Sequence, residues 1–274
     1  MLSIILPASN EASYIGPCLE ALLASTPVPG GAEVIVVANG CRDDTAARAG
    51  TYAAQAEAAG WGFTVLDLAQ GGKIRALNAG DAQARGDMRA YLDADVIVSP
   101  DLMAQIAQAL AGEAARYASG RAVIPRAQSA VTRAYARFWQ TLPFAQSDAP
   151  GYGLFAVNAA GRARWGEFPD LISDDTFVRL QFGPDERVSC AATYRWPMIE
   201  GFESLVRVRR RQDQGVAQIA SLHPEILERE AKPKMGLRGV LQRAGADPLG
   251  FAVYAAVSLA VRLRRGGGEW ARGR

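Results

Sequence analysis

The sequence is poor in the residues that form cross-links and zinc sites. Its 274 residues include one histidine and three cysteines. The cysteines, Cys18, Cys41 and Cys190, are far apart and form no Cys-x-x-Cys pair. A disulfide framework or a structural zinc site needs paired ligands, so these two classes are excluded and a reducing compartment is favoured.

Long apolar segments are also lacking. The opening "MLSIILPASN" has no basic residues before its apolar run and no small-residue cleavage site, which predicts a cytoplasmic protein. The apolar run over 247–265 is shorter than the ~20 residues of a membrane span. It is either a helix packed on the domain or on a partner subunit, or an interfacial helix. In the second case Arg262, Arg264 and Arg265 contact anionic headgroups at the inner face of the membrane.

Neither sign of charge predominates, since 30 basic residues oppose 28 acidic ones. The distribution is uneven, because residues 207–274 hold 14 of the basic side chains and 6 of the acidic ones. A basic tail predicts an anionic partner, either a phosphate-bearing ligand or a membrane surface. Nucleic acid is not expected, since no nucleic-acid-binding motif accompanies the excess.

Short apolar runs alternate with helix-like segments through the first half of the chain. Strands are predicted at 2–6, 32–38, 63–68, 89–95 and 118–124, with helices at about 11–25, 43–59, 73–85 and 100–113. This order is typical of βαβ units, and runs such as "VIVV" indicate strands buried on both faces. We predict an α/β, Rossmann-like fold with a mostly parallel central sheet flanked by helices. The rhythm fades after about residue 125, and a basic, partly apolar helical extension is predicted over 216–274.

Polar side chains follow the predicted strands, at the edge where a sheet of this kind binds ligands. Asp93 and Asp95 interrupt the run "LDADVIV", and an unpaired buried carboxylate is costly, so a cationic partner is expected. Alternation along a strand points both carboxylates the same way. Two hard oxygen ligands suit Mg²⁺ or Mn²⁺ together with substrate phosphates. The alternative is that the two aspartates form a turn or cap the next helix.

Five segments, in order, resemble the family 2 glycosyltransferases of the GT-A fold. They are "SIILPASNEASYIGPCLEAL", "VIVVANGCRDDTA", "GGKIRALNAG", "LDAD" and "ISDDTFVRL". The resemblance implies a catalytic domain over 1–215, with a nucleotide-binding half at 1–95 and an acceptor half at 96–215. It also implies a nucleotide-sugar donor, UDP- or GDP-linked, an acceptor hydroxyl on a saccharide or a lipid-linked molecule, and a divalent metal.

The resemblance also implies roles for individual residues. Those expected to line the nucleotide and donor pocket are Pro7, Ala8, Ser9, Glu11, Asn39, Lys73 and Asp93. Asp95 is expected to bind the metal that bridges the diphosphate, with Asp93 beside it. The family often has Asp where this chain has Asn39. An amide oxygen still accepts from a uracil N–H but loses the charge-assisted bond, which weakens the case for UDP.

An acceptor hydroxyl must lose a proton, which requires a carboxylate near the reacting carbon. By resemblance Asp175 is the general base, with Asp174 orienting it or contacting the acceptor, and the transfer inverts the anomeric centre. Neighbours on a helix point about 100° apart, so only one of the two should face the donor. The alternative is that both carboxylates simply favour a helix N-terminus.

The segment "RVRRRQDQG" carries candidates for a diphosphate contact in Arg209, Arg210 and Arg211, since related enzymes place an arginine there. The alternative is a solvated charged surface. His223, the one histidine, is a candidate metal ligand, a lid residue or a structural residue.

The motif "PGYGLFAV" matches the dinucleotide-binding pattern only formally, because it follows a loop and not a strand. We interpret it as an acceptor loop, with Trp139, Tyr152, Trp165 and Phe168 either stacking on sugars or packing in the core. Two other classes remain. A sugar-1-phosphate nucleotidyltransferase should have a Gly- and Arg-rich loop where "PASNEAS" stands, and a non-catalytic binding protein should lack one acidic motif.

Overall fold

The structure, a computed structural model, describes residues 1–230 and 235–263. In the N-terminal half, strands β1 (Leu2–Ala8), β2 (Ala32–Asn39), β3 (Gly62–Leu68) and β4 (Met88–Leu92) alternate with helices α1 (Ile15–Leu23), α2 (Thr45–Gly50), α3 (Ala53–Ala58) and α4 (Lys73–Gln83). The strands that follow are β5 (Ile97–Val98), β6 (Tyr117–Val123), β7 (Leu154–Asn158) and β8 (Arg187–Arg195). The remaining helices are α5 (Leu102–Ala109), α6 (Ala130–Trp139), α7 (Ala159–Arg162), α8 (Asp174–Arg179), α9 (Phe202–Leu222), α10 (Leu237–Ala246) and α11 (Pro248–Leu263).

One sheet unites all of these strands in the order β3-β2-β1-β4-β7-β6-β8-β5. The pairings among β3, β2, β1 and β4 are parallel, as is that of β6 with β8. The pairings β4–β7, β6–β7 and β5–β8 are antiparallel. The predicted α/β fold is therefore confirmed, and the antiparallel pairings lie in the part where the βα rhythm of the sequence fades.

The sheet separates two apolar cores. Along β1, Ile4 and Leu6 belong to one core and Ile5 to the other, as expected for an extended strand. Helices α1 and α5 contribute to the first core, while α4 and α8 contribute to the second. Burial on both faces explains the apolar runs of β1 and β2. Because α4 and α8 share a face, their N-terminal residues are brought close together.

Two elements differ from the sequence prediction. The strand predicted at 89–95 ends at Leu92, and Val96 N–H donates to Asp93 O at 3.1 Å to close a turn. Residues 97–98, interpreted as part of that turn, form β5 because they pair with the distant β8. The helix predicted over 43–59 is two helices, α2 and α3, and Thr51 Oγ1 donates to Arg48 O at the break.

The C-terminal helices pack on the main body. Helix α9 is continuous across residue 215, where the sequence placed a domain boundary. Val257 and Val261 of α11 are buried in a third core that includes Leu205 of α9. Asp247 caps α11 as predicted, since Gly250 N–H donates to its Oδ1 at 2.9 Å. Among the described residues, no helix has the length and apolarity needed to cross a membrane.

Candidate active site

The carboxyl ends of β1, β2 and β4 meet at one edge of the sheet, because these strands are parallel neighbours. The loop after β3 reaches the same edge, where Gly40 N–H donates to Leu68 O at 2.8 Å. Ligands of open α/β sheets bind outside this edge. The structure thus brings together the strand-end segments that the sequence singled out.

Lys73 connects two acidic motifs that are far apart in sequence. Its Nζ lies 3.0 Å from Asp93 Oδ1 and 3.2 Å from Asp174 Oδ2. Burial disfavours the ammonium charge, but Asp174, Asp93 and Asp175 outweigh this effect and raise the pKa of Lys73. The cationic partner of Asp93 is therefore a lysine of the protein itself, whereas the sequence suggested a cation that arrives with the ligand.

Asp93 and Asp95 lie in the turn between β4 and β5. Asp93 N–H donates to Gly153 O at 2.9 Å, which fixes the turn against the loop before β7. Beneath it, burial raises the pKa of the Cys18 thiol, and the charges of Asp95, Asp93 and Glu11 raise it further. Three carboxylates therefore converge on this edge, and they create a strongly negative potential.

Asp174 and Asp175 begin helix α8 and occupy different environments. Asp174 is 4% exposed, and its contact with Lys73 is an ion pair without hydrogen-bond geometry. Asp175 is half-buried, and its Oδ1 accepts from Thr176 N–H at 2.6 Å. Burial and the neighbouring charge of Asp174 raise the pKa of Asp175 to about 6, against a lowering effect of Lys73. A carboxylate with such a pKa can accept a proton near neutral pH.

The loop after β1 is held open by contacts with the loop after β2. Glu11 N–H donates to Thr45 Oγ1 at 2.8 Å, and Asn10, which has a positive φ of 59°, accepts from Arg42 N–H at 2.8 Å. Ser9 and Glu11 are half-buried at this edge, as is Pro7, whereas Ala8 is buried. Only the backbone of Ala8 is therefore in a position to contribute polar groups.

Asn39 holds loops together in this structure. Its side chain is 2% exposed, Nδ2 donates to Ala8 O at 2.9 Å and to Val37 O at 3.2 Å, and Oδ1 accepts from Gly72 N–H at 2.9 Å. Both donor hydrogens are used, and the remaining acceptor capacity is buried. The contact with a base that the resemblance implies would require these bonds to break. The bond to Gly72 instead fixes the residue that precedes Lys73.

Replacing Asn39 with aspartate should therefore destabilise the fold. A carboxylate cannot donate to Ala8 O or Val37 O, and it would be buried beside both carbonyl oxygens. We expect the free energy of unfolding, measured by urea denaturation, to fall by roughly 2–4 kcal/mol. Asn10→Asp is the matched control, because the half-exposed Asn10 only accepts and an aspartate can do the same. An Asn39→Asp protein as stable as the wild type would contradict this role.

The arginines of α9 do not all face open space. Arg209 donates to Asp213 Oδ1 at 3.0 Å and to the Tyr254 hydroxyl of α11 at 3.0 Å. A diphosphate contact by Arg209 would require it to leave these partners. Arg211 is half-buried on the same helix. The diphosphate role of both residues stays a prediction.

His223 follows the end of α9 and packs on α8. Its ring centroid lies 5.2 Å from that of Phe177, and its Nδ1 lies 3.5 Å from Glu225 Oε1. The contact with Phe177 brings it near the acidic helix, without joining it to Asp95 in any contact of the described residues. A metal-binding role for His223 stays a prediction.

The aromatic residues near the predicted acceptor loop divide into two groups. Trp165 and Phe168 are buried in the second core, so core packing is the correct alternative for them. Trp139 and Tyr152 are half-buried, with ring centroids 5.4 Å apart. Trp196, which follows β8, lies 4.6 Å from Tyr152. Sequence analysis missed Trp196 because no local motif connects it to the loop.

The donor set at this edge suits a metal that takes most of its ligands from elsewhere. Within the described ranges, no group of three or more His, Cys, Asp or Glu side chains is arranged to hold a metal ion. Asp93 and Asp95 offer hard carboxylate oxygens in one turn. Mg²⁺ and similar ions are commonly held by one or two carboxylates plus substrate phosphates. The residues present therefore fit a cation that binds together with a diphosphate.

The sequence profile of Glycosyl transferase family 2 matches residues 3–164. No curated protein is significantly similar in sequence. Among solved structures, the mannosyltransferase PcManGT from Pyrobaculum calidifontis, in complex with GDP-Man and Mn²⁺, superposes with a TM-score of 0.60 at 21% identity. The match covers 96% of this chain and 77% of that one.

Two further structures have the same architecture. S. aureus TarS 1-349, in complex with UDP, superposes with a TM-score of 0.55 at 17% identity, over 99% of this chain and 93% of that one. Mycobacterium tuberculosis glucosyl-3-phosphoglycerate synthase, bound to Mn²⁺, UDP and glucosyl-3-phosphoglycerate, has a TM-score of 0.50 at 20% identity. The coverage is 86% and 82%. At these identities the likeness shows the fold.

Proposed function

The chain belongs to glycosyl transferase family 2, and we propose that it transfers a sugar from a nucleoside-diphosphate donor to an acceptor hydroxyl with inversion of the anomeric centre. The observation that carries the proposal is the bridge that Lys73 makes between Asp93 and Asp174. It places the donor-side carboxylates and the acidic helix α8 in one site. A nucleotidyltransferase is not favoured, because the family match covers the loop in which it should differ.

The donor binds along the edge formed by the loops after β1 and β2. Pro7, Ala8, Ser9 and Glu11 line the nucleotide pocket, and Asn39 acts indirectly by fixing these loops. The solved neighbours carry GDP-Man, UDP or UDP-GlcNAc, which supports a UDP- or GDP-sugar. Asp93 lies beside the sugar or ribose, and Lys73 lies close to the diphosphate.

Asp95, with Asp93, would hold a divalent cation, and two of the neighbours contain Mn²⁺. Mn²⁺ or Mg²⁺ bound there would neutralise the charge that develops on the leaving diphosphate. Asp93 can turn to such a ligand only by giving up part of its contact with Lys73. Lys73 would then remain paired with Asp174 and keep that side of the site in place.

Asp175 acts as the general base. Its pKa of about 6 leaves it ionised at neutral pH yet basic enough to accept the acceptor proton. Asp174 is buried and paired with Lys73, so it orients the helix end and raises the basicity of Asp175 by its charge. The two adjacent carboxylates thus have separate tasks.

Direct assay tests the proposed function. The protein is incubated with UDP- and GDP-sugars and Mn²⁺, and release of the nucleoside diphosphate is followed with and without acceptors. NMR of the transferred sugar reports the anomeric configuration. We expect one donor class to be consumed. If none of these donors is consumed or bound, the proposal fails.

We further propose that α10 and α11 contact an anionic membrane surface. Leu249, Leu259 and Leu263 are 64%, 56% and 77% exposed and share one face of α11, opposite the buried Val257 and Val261. Helix α10 also exposes leucines, at Leu237 and Leu241. The exposed Arg238 and Arg262 lie on these helices. Leucines with flanking arginines match an acidic bilayer. Arg264 and Arg265, predicted to contact headgroups, lie outside the described residues.

The triple change Leu249→Gln, Leu259→Gln and Leu263→Gln should release the protein from vesicles that contain phosphatidylserine. Removing three insertable leucines should reduce co-sedimentation with the vesicles by at least about tenfold. Leu222→Gln is the control, since Leu222 is 59% exposed at the end of α9. Unchanged co-sedimentation of the triple variant would remove the membrane contact from the account.

A further inference from the structure

Four half-buried aromatic side chains from three parts of the chain form one cluster. They are Trp139 at the end of α6, Phe144 and Tyr152 in the loop before β7, and Trp196 after β8. Tyr152 is central, with ring centroids 4.6 Å from Trp196, 5.4 Å from Trp139 and 6.3 Å from Phe144. The rings are tilted or edge-on to one another, so they do not cover each other's faces.

The polar groups of this cluster lack protein partners. The Nε1 atoms of Trp139 and Trp196 and the hydroxyl of Tyr152 donate to no residue that the structure describes, and none of the three is fully buried. By contrast, the hydroxyls of Tyr91 and Tyr194 are both hydrogen-bonded. A sugar ring presents a C–H face and a rim of hydroxyls, which match an aromatic face with free N–H and O–H groups. An acyl chain would use only the ring faces.

The cluster adjoins the carboxylates of the active site. Gly153, next to Tyr152, accepts from Asp93 N–H at 2.9 Å. A Cβ at Gly153 would lie 2.5 Å from Trp196 Cδ1 and 3.0 Å from Val96 Cγ2, so the chain runs between the cluster and the aspartate turn. Transfer requires the acceptor oxygen to approach within about 3.5 Å of the reacting carbon. An acceptor beside a sugar held at Asp93 would therefore reach the cluster.

From this geometry we infer that Trp139, Phe144, Tyr152 and Trp196 form an acceptor subsite that stacks on a sugar ring, and that the acceptor is a saccharide. The inference rests on the proposed glycosyltransferase function and specifies the acceptor class, which that function leaves open between saccharides and lipid-linked molecules.

The test separates acceptor binding from donor use. With a donor that the protein consumes, nucleoside-diphosphate release is measured with maltohexaose, cellohexaose, mannohexaose and chitohexaose as acceptor probes. We expect at least one probe to raise the rate above donor hydrolysis. Trp196→Leu and Tyr152→Leu should raise the KM for that probe by about tenfold or more and change the KM for the donor less than about twofold. Trp196→Phe, which keeps a ring, should recover most of the affinity.

Tyr52→Leu serves as the control, because the Tyr52 hydroxyl is bonded to Glu20 and its ring packs beside α1, outside the cluster. Thermal melting establishes that each variant is folded. An unchanged probe KM in both leucine variants overturns the inference. So does a wild-type protein that hydrolyses the donor but is stimulated by no saccharide, including one that responds only to a polyprenyl phosphate. If the wild type neither binds nor hydrolyses any donor, the proposed function itself fails.

Discussion

Replacing Asp175 with asparagine is expected to abolish sugar transfer while leaving donor binding nearly intact. The amide keeps the acceptor position of Oδ1 toward Thr176 N–H but cannot take a proton from the acceptor. Loss of a general base lowers kcat by about 10²–10⁴-fold. Steady-state kinetics gives kcat, and calorimetric titration with the donor and Mn²⁺ gives the affinity.

The same substitution should make the fold more stable. The pKa of Asp175 is raised from 3.8 to about 6, so the ionised form is disfavoured in the folded state. Above pH 6 asparagine removes this full penalty, roughly 1–3 kcal/mol. The gain should fade as the pH falls from 6 towards 4, where the wild-type carboxyl becomes protonated in both states. Melting curves at pH 8 and pH 4 measure it.

Asp170→Asn is the control, because the exposed Asp170 precedes α8 in the chain without belonging to it. Loss of donor binding in Asp175→Asn would show that the base assignment is wrong. A variant that transfers sugar at the wild-type rate would show the same.

Replacing Asp95 with asparagine is expected to remove the metal dependence of donor binding. The amide is a much poorer ligand for Mn²⁺ than a carboxylate, while the contact of Lys73 with Asp93 is left in place. The gain in donor affinity on adding Mn²⁺ should fall by about tenfold or more, and kcat/KM should fall by at least about 10²-fold. Calorimetric titration of the donor, with Mn²⁺ and with EDTA, measures the first effect.

Asp101→Asn provides the comparison, since Asp101 is an exposed carboxylate shortly after the same turn. If Asp95→Asn retains the full Mn²⁺-dependent gain, the metal is bound elsewhere. His223 would then need to be tested, together with Asp93.

The parallel strands could be predicted from the sequence because each is a local pattern. The apolar runs of β1 and β2, and the polar residues at their ends, follow from burial on both faces and from the ligand edge of the sheet. The strand β5 could not be predicted, because its two residues owe their conformation to pairing with β8. Helix α9 likewise runs through a point where composition alone suggested a boundary.

The acidic motifs of the site were visible in the sequence, but their partners were not. Lys73 is distant in sequence from Asp174, and only the packing of α4 and α8 on one face brings them to 3.2 Å. Asn39 was interpreted by its chemistry as a base contact, whereas its burial gives it three backbone partners. Side-chain type therefore indicated the kind of site, and tertiary packing decided which atoms are free to bind a ligand.

The central claim is that this edge of the sheet binds a nucleotide sugar together with a divalent metal. The most direct measurement is a thermal-shift panel of UDP, GDP and their sugars, recorded with Mn²⁺ and with EDTA. The account predicts that one nucleotide class raises the melting temperature in Mn²⁺ and has little effect in EDTA. A shift of equal size in EDTA, or no shift with any member of the panel, would contradict it.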